Sequence, residues 1–177
     1  MNVIELALAG VKLFSPTIHN DPRGHFAELF TADELEMQGV PRQFAQANVS
    51  QSLPGVVRGL HYQVNPPQGK LVTCVAGKIF DVVADINVNS PTFGRHIAVE
   101  LDAVKRQLLW IPPGYAHGLA VLGDESATVI YYVDSRYNPE SEAGVSWDDP
   151  TLAIKWPTVA PLLSDRDKRH PCIGTRK

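Results

Sequence analysis

The chain has 177 residues, 44% of them hydrophobic and 20% charged, with a formal net charge of −3 at neutral pH. That length suits one well-buried domain spanning residues 1–177. The acidic balance argues against a general nucleic-acid binder, which carries a basic surplus. No apolar run approaches the roughly 18–20 residues of a membrane span. The opening MNVIELALAG lacks the basic start and cleavage site of a secretory leader, so a cytoplasmic protein with no membrane partner is expected. In chain order, the first turn is Asp21-Pro22-Arg23-Gly24, and a helix is predicted over Thr31–Gln38, with Thr31 as N-cap and Asp33 and Glu34 in its first turn. Strands are predicted at Leu71–Val75, Ile79–Ile86, Ile97–Leu101, Gln107–Ile111 and Ala127–Val133. Turn residues punctuate them at Pro54-Gly55, Asn65-Pro66-Pro67, Ala76-Gly77, Asn89-Ser90-Pro91, Pro112-Pro113-Gly114 and Gly123-Asp124. Within Ile79–Ile86, Phe80, Val82 and Ala84 alternate with Asp81, Val83 and Asp85, which predicts a half-buried strand. A second short helix is predicted from Ser164. Fourteen prolines and thirteen glycines spread this evenly point to a sandwich or barrel of short strands. Cys74 and Cys172 show no metal-type spacing and are expected to be free thiols, with Cys74 buried in a strand.

The segment VRGLHYQVNPPQGK, residues 57–70, carries the densest chemistry. It places one imidazole, His61, beside two cations, Arg58 and Lys70, a combination suited to holding an anion while moving a proton. Upstream, Gln46, Asn48 and Ser50 alternate and share one strand face. That polar row either faces solvent, as polar rows usually do, or lines a cavity with amides and a hydroxyl. Arg23 and Glu28 flank a glycine turn and read either as an exposed pair or as an anion-binding arginine and its neighbour. Tyr131 and Tyr137, six apart, read either as packing aromatics or as a proton-donating phenol and a stacking ring. Asp165 and Asp167 read as helix-capping carboxylates on the bland view.

Downstream, the rigid turn in WIPPGYAHG (110–118) sets His117 at the mouth of a barrel. This pattern resembles the second motif of the cupin superfamily, which implies an all-β, double-stranded β-helix (jelly-roll) barrel with short peripheral helices. The superfamily's first motif supplies two further histidines and a glutamate to a metal. Here the matching stretch is His61-Tyr62-Gln63, with no second histidine, so neither a metal nor another cofactor is expected. A metal-dependent cupin is the rival reading that ligand count disfavours.

Across nearly the whole chain the motifs resemble the dTDP-4-dehydrorhamnose 3,5-epimerase family. They run, in order, DPRGHFAE (21–28), QAN (46–48), VRGLHYQ (57–63), PQGKLV (67–72), SPTFG (90–94), WIPPGYAHG (110–118), YYVDSRYNP (131–139), WDDP (147–150) and LLSDRD (162–167). The resemblance implies a cofactor-independent isomerase acting on a small-molecule dTDP-sugar, and a homodimer. It implies His61 as the base at C3 and C5 of a 4-keto sugar and Asp167 as the carboxylate orienting it. It implies Tyr131 as the acid on the opposite face, Lys70 as the cation near the C4 oxygen, and Tyr137 as the ring stacked on thymine. Arg23, Glu28, Gln46, Asn48, Arg58, His117, Glu142 and Arg166 match positions that contact nucleotide, diphosphate or sugar. Two departures stand out: Ala47 replaces a common aspartate and Tyr132 replaces a common lysine; the basic tail after Asp167 suggests no site role. They leave room for a C3-only epimerase of a related sugar. A non-catalytic nucleotide-sugar binding module is the other rival, disfavoured because all four reacting groups are present.

Overall fold

The computed structural model describes residues 1–175. Thirteen strands are described: β1 Asn2–Glu5, β2 Lys12–Ser15, β3 Ile18–Asp21, β4 Gly24–Ala27, β5 Gln46–Ser52, β6 Val57–Gln63, β7 Lys70–Ala76, β8 Lys78–Asp85, β9 His96–Asp102, β10 Leu108–Ile111, β11 Tyr115–Val121, β12 Ala127–Val133 and β13 Glu142–Gly144. They form a six-stranded sheet in the order β1-β2-β10-β7-β12-β5 and a five-stranded sheet in the order β13-β6-β11-β8-β9, with β3 and β4 as a separate hairpin. Every pairing between these strands is antiparallel. This is the expected cupin-type jelly roll.

Val72, Cys74, Leu109, Ile111 and Val129 of the first sheet pack against Ile79, Val83, Leu119 and Val121 of the second. Two further clusters cover the outer faces. Phe14, Leu71, Leu108 and Trp110 sit beneath Leu35 of the one α-helix described, α1 (Ala32–Met37). Leu60, Val82, Ala84 and Ala116 sit beneath Val145, Leu152 and Ile173 of the C-terminal segment. The helix follows its sequence signals: Glu34 N–H donates to Thr31 Oγ1 at 3.2 Å, and Thr31 N–H donates back to the Glu34 carboxylate at 3.3 Å.

The predicted strands all form, but β8 is not half-buried. Asp81, Val82, Val83, Ala84 and Asp85 are all buried: the C-terminal segment covers the Phe80, Val82 and Ala84 face, while the face that alternation assigned to solvent turns inward, where Val83 packs between the two sheets. Its two aspartates are therefore paired inside: Asp85 accepts from the Ser90 hydroxyl, from Thr92 Oγ1 at 2.5 Å and from Asn87 N–H at 3.0 Å, while Asp81 accepts from His117. The helix predicted from Ser164 is a single 3-10 turn, Asp167–Arg169, with Ser164 Oγ accepting from Asp167 N–H at 3.1 Å. Cys74 is buried and Cys172 partly so, and among the described residues neither forms a disulfide. No helix among the described residues is long and apolar enough to cross a membrane.

Candidate active site

A cavity of about 370 Å³ opens between the two sheets. The six-stranded sheet contributes Gln46, Asn48 and Ser50 from β5, Lys70 from β7, and Val129 and Tyr131 from β12. The five-stranded sheet contributes Arg58 and His61 from β6, His117, Gly118 and Leu119 from β11, and Glu142 from β13. Gln68 and Tyr137 close the rim from loops. The polar row of β5 thus faces inward, while Val49 on its other side is 69% exposed.

Strand geometry explains why these groups meet. In β6 and β11, His61 and His117 are cross-strand partners, with a register irregularity just beyond them. The two strands approach closely there because a Cβ on Gly118 would stand 2.7 Å from Arg58 O, and one on Gly59 would stand 2.7 Å from Gly118 Cα. Only glycines allow that approach. Lys70 is held at the start of β7 by Gly69, whose N–H donates to Asp134 at 2.8 Å.

His61 Nε2 lies 2.6 Å from Asp167 Oδ1, and the Asp167 side chain is only 4% exposed. Burial pushes the Asp167 carboxyl up, but the hydrogen bond and charge of His61, with help from Ser164 and the Gly59 backbone, hold it below the usual carboxylate range. It is therefore an anion beside the imidazole, which fixes the proton on Nε2 and leaves Nδ1 as the basic nitrogen. Burial lowers the Lys70 ammonium to about 8, partly offset by the charges of Glu142 and Asp81. Burial also raises the Tyr131 phenol, so it keeps its proton at neutral pH. Glu142 is pushed up by burial but falls below its ordinary value overall, because the Tyr137 hydroxyl and Arg166 both donate to it. Arg58 is pinned to β5 through Ser52 Oγ at 2.7 Å and Gln51 O at 3.0 Å. Gln46 Nε2 donates to Asn48 at 2.7 Å, and its carbonyl accepts from Tyr137 N–H at 3.1 Å.

Nine of the thirteen expected site residues line the cavity: His61, Lys70, Tyr131, Gln46, Asn48, Arg58, His117, Tyr137 and Glu142. Asp167 and Arg166 stand just behind, each bonded to a lining residue. Arg23 and Glu28 are not brought in. Both are exposed on and just after the β3–β4 hairpin, where Arg23 pairs with Asp21 at 2.6 Å. Sequence reasoning missed Asp81, whose two carboxylate oxygens lie 2.9 Å from His117 Nε2. It missed Gln63 as well, which accepts from Asn138 N–H at 2.8 Å and donates to Arg136 O at 3.2 Å, fixing the loop that carries Tyr137. The tail was expected to take no part, yet His170 packs edge-on against His61, with ring centroids 5.4 Å apart. A lone histidine in a basic run gave no signal of that. Residues 176 and 177 of the tail lie outside the described residues.

The cupin metal site finds no fit in the cavity. Gln63 occupies the second-histidine position, and His117 gives its Nε2 to Asp81 rather than to a point shared with His61. What the cavity does offer is a carboxylate-backed imidazole on one sheet, a protonated phenol on the other, and a buried cation between anions.

The family model described as dTDP-4-dehydrorhamnose 3,5-epimerase matches residues 5–174. A dTDP-4-dehydrorhamnose 3,5-epimerase of Shigella flexneri is 46% identical, covering 94% of this chain and 93% of its own length. A dTDP-4-dehydrorhamnose 3-epimerase of Streptomyces niveus is 45% identical, covering 95% and 82%. The crystal structure of a dTDP-6-deoxy-D-glucose-3,5-epimerase from Legionella pneumophila, in complex with dTDP-4-keto-L-rhamnose, superposes with a TM-score of 0.94 at 40% identity, covering 99% of this chain and 94% of that one. The family-model match over residues 5–174, with 46% identity over nearly the full length of both chains, places this chain in the dTDP-4-dehydrorhamnose 3,5-epimerase family of isomerases.

Proposed function

We propose that the chain inverts C3 and C5 of dTDP-4-dehydro-6-deoxy-D-glucose, giving dTDP-4-dehydro-L-rhamnose. The observation that carries this reading is the opposition of two proton-handling groups across one cavity: His61 with Asp167 on the five-stranded sheet, and Tyr131 on the six-stranded sheet. Inversion needs a proton removed from one face of a carbon and returned to the other. His61 Nδ1 takes the proton from C3 or C5, and the Asp167 anion stabilises the imidazolium that forms. The electrons move onto the C4 oxygen, where the Lys70 ammonium stabilises the enolate. Tyr131 returns a proton on the far face, and the cycle repeats at the second carbon. Arg58 at the cavity wall suits the diphosphate, and the exposed ring of Tyr137 suits thymine.

The C3-only alternative is kept because the Streptomyces niveus 3-epimerase is as similar to this chain as the Shigella 3,5-epimerase is. Proton NMR of the protein with dTDP-4-keto-6-deoxy-D-glucose in deuterium oxide separates the readings. Loss of both the C3 and C5 proton signals is the expected result. Loss of C3 alone establishes the 3-epimerase, and exchange at neither carbon removes the enzyme assignment for this sugar.

A homodimer is part of the proposal. The hairpin bearing Arg23 and Phe26, the latter 69% exposed, does not line the cavity of its own chain, nor does nearby Glu28. Arg23 and Glu28 act on substrate only if that region reaches the cavity of a second copy.

A further inference from the structure

The recess behind His61 holds a second imidazole that the proposed reaction does not use. His170 Nε2 is buried and has no hydrogen-bond partner among the described residues. It lies 3.6 Å from Asp167 Oδ1, the same oxygen that stands 2.6 Å from His61 Nε2. The three donor atoms all lie within 4.8 Å of one another. Neither Asp167 nor His170 lines the substrate cavity; Asp167 lines a separate recess that also reaches His61, and His170 lines another beside Gly144.

His170 is held there by the fold. Gly144 pairs with His61 across β13 and β6, and a Cβ at position 144 would fall inside the His170 ring. Beyond His170, Ser146 N–H donates to Pro171 O at 2.9 Å and Ile173 N–H donates to Asp149 at 2.6 Å, which ties the tail down immediately after the ring.

Two imidazole nitrogens and one carboxylate oxygen form a donor set that suits a borderline divalent ion. Zn–N and Zn–O bonds of about 2.0–2.2 Å put tetrahedral donors roughly 3.3 Å apart. The spacings here bracket that value, so closure asks for shifts of under an ångström at the His61–Asp167 contact. An unpartnered buried nitrogen aimed at the shared oxygen is what an incomplete coordination shell leaves. We propose that His61, Asp167 and His170 bind zinc, or a like transition-metal ion, as an inhibitory site behind the base.

The inhibition rests on the assignment of His61 as base, whereas the binding does not. In the resting pair the His61 proton sits on Nε2, facing Asp167, and Nδ1 holds the free electron pair. Metal on Nε2 takes the Nε2 electron pair, so the imidazole proton moves to Nδ1. No proton is gained or lost, but the nitrogen that must accept the carbon-bound proton is already occupied. Because the metal lies outside the cavity, nucleotide binding is untouched.

The test titrates the metal-depleted full chain with zinc chloride by calorimetry, and with cobalt(II) by visible absorption. The expected result is one site in the wild type, weakened tenfold or more in His61→Asn, His170→Ala and His170→Gln. His170→Gln keeps a polar side chain of similar reach but is a poor zinc ligand, so it separates ligation from mere filling of the recess. Wild-type zinc affinity in either His170 variant would overturn the site. In the deuterium-exchange assay, zinc should lower kcat at unchanged KM in the wild type and act at least tenfold more weakly on His170→Gln. Inhibition that instead raises KM would put the ion in the substrate cavity and also overturn it. Absence of exchange before any zinc is added would remove the epimerase reading alone, leaving calorimetry to decide the metal site.

Discussion

At the scale of single residues, the decisive feature is which nitrogen of His61 is free. A 2.6 Å contact to a carboxylate held in its anionic form commits Nε2, and a base then has Nδ1 to work with. His61→Asn keeps a polar side chain without basicity. Loss of roughly 10²–10⁴-fold in deuterium wash-in at both carbons is expected, on the usual scale of general-base catalysis, with dTDP affinity in calorimetry nearly unchanged. Wash-in at the wild-type rate in this variant would sink the base assignment. Lys70 gives a pH prediction. Its ammonium titrates near 8, so the positive charge is present below that pH and lost above it. The profile of kcat/KM, which reports the free enzyme, should therefore fall as pH rises through about 8. Lys70→Ala should remove that alkaline limb and cost about 10²–10³-fold in kcat, the range for loss of an oxyanion partner. A variant that raises KM at unchanged kcat would make Lys70 a binding residue instead.

At the scale of elements, the site depends on how closely β6 and β11 approach. A methyl group on Gly118 meets the backbone oxygen of Arg58 and the Leu60 side chain, so the strands must part just where His61 and His117 face each other. Gly118→Ala should destabilise by about 1–3 kcal/mol, as overpacking does, and should also slow exchange. Thr31→Ala is the matched comparison: it removes the capping box of α1, on the far side of the six-stranded sheet, at a cost of about 1 kcal/mol. Melting temperatures of both variants should fall by about 2–4 °C per kcal/mol, but only Gly118→Ala should lose exchange rate. Equal rates in both would mean that the β6–β11 contact supports the fold without setting the site. The polar row of β5 shows the same dependence on neighbours. Gln46, Asn48 and Ser50 face inward, with Asn48 opposite Tyr131 and Ser50 opposite Val129 of β12 on the same cavity wall.

At the scale of the whole molecule, the hairpin makes the strongest demand. If Arg23 serves the cavity of a second copy, then Arg23→Ala and His61→Asn chains are each impaired, yet mixing them creates one intact site in every heterodimer. After subunit exchange, about a quarter of all sites should recover, by the symmetry of a two-fold dimer. No recovery, or a monomer in sedimentation, would confine Arg23 and Glu28 to the surface of their own chain. Much of the rest was legible in the residues. Turn spacing and strand composition located β7, β8, β9, β10 and β12, and the Thr31 cap with its acidic first turn located the helix, because these signals are local and rest on backbone preference; the family resemblance pointed to nine residues that line the cavity. What the sequence could not decide was set by contacts between distant segments. The packing of the two sheets drove Asp81 and Asp85 of β8 into paired burial, and the C-terminal segment laid His170 over Gly144 behind the base. Burial, hydrogen-bond partners and proton positions depend on what packs against a residue from elsewhere in the chain, and only the tertiary structure brings those neighbours together.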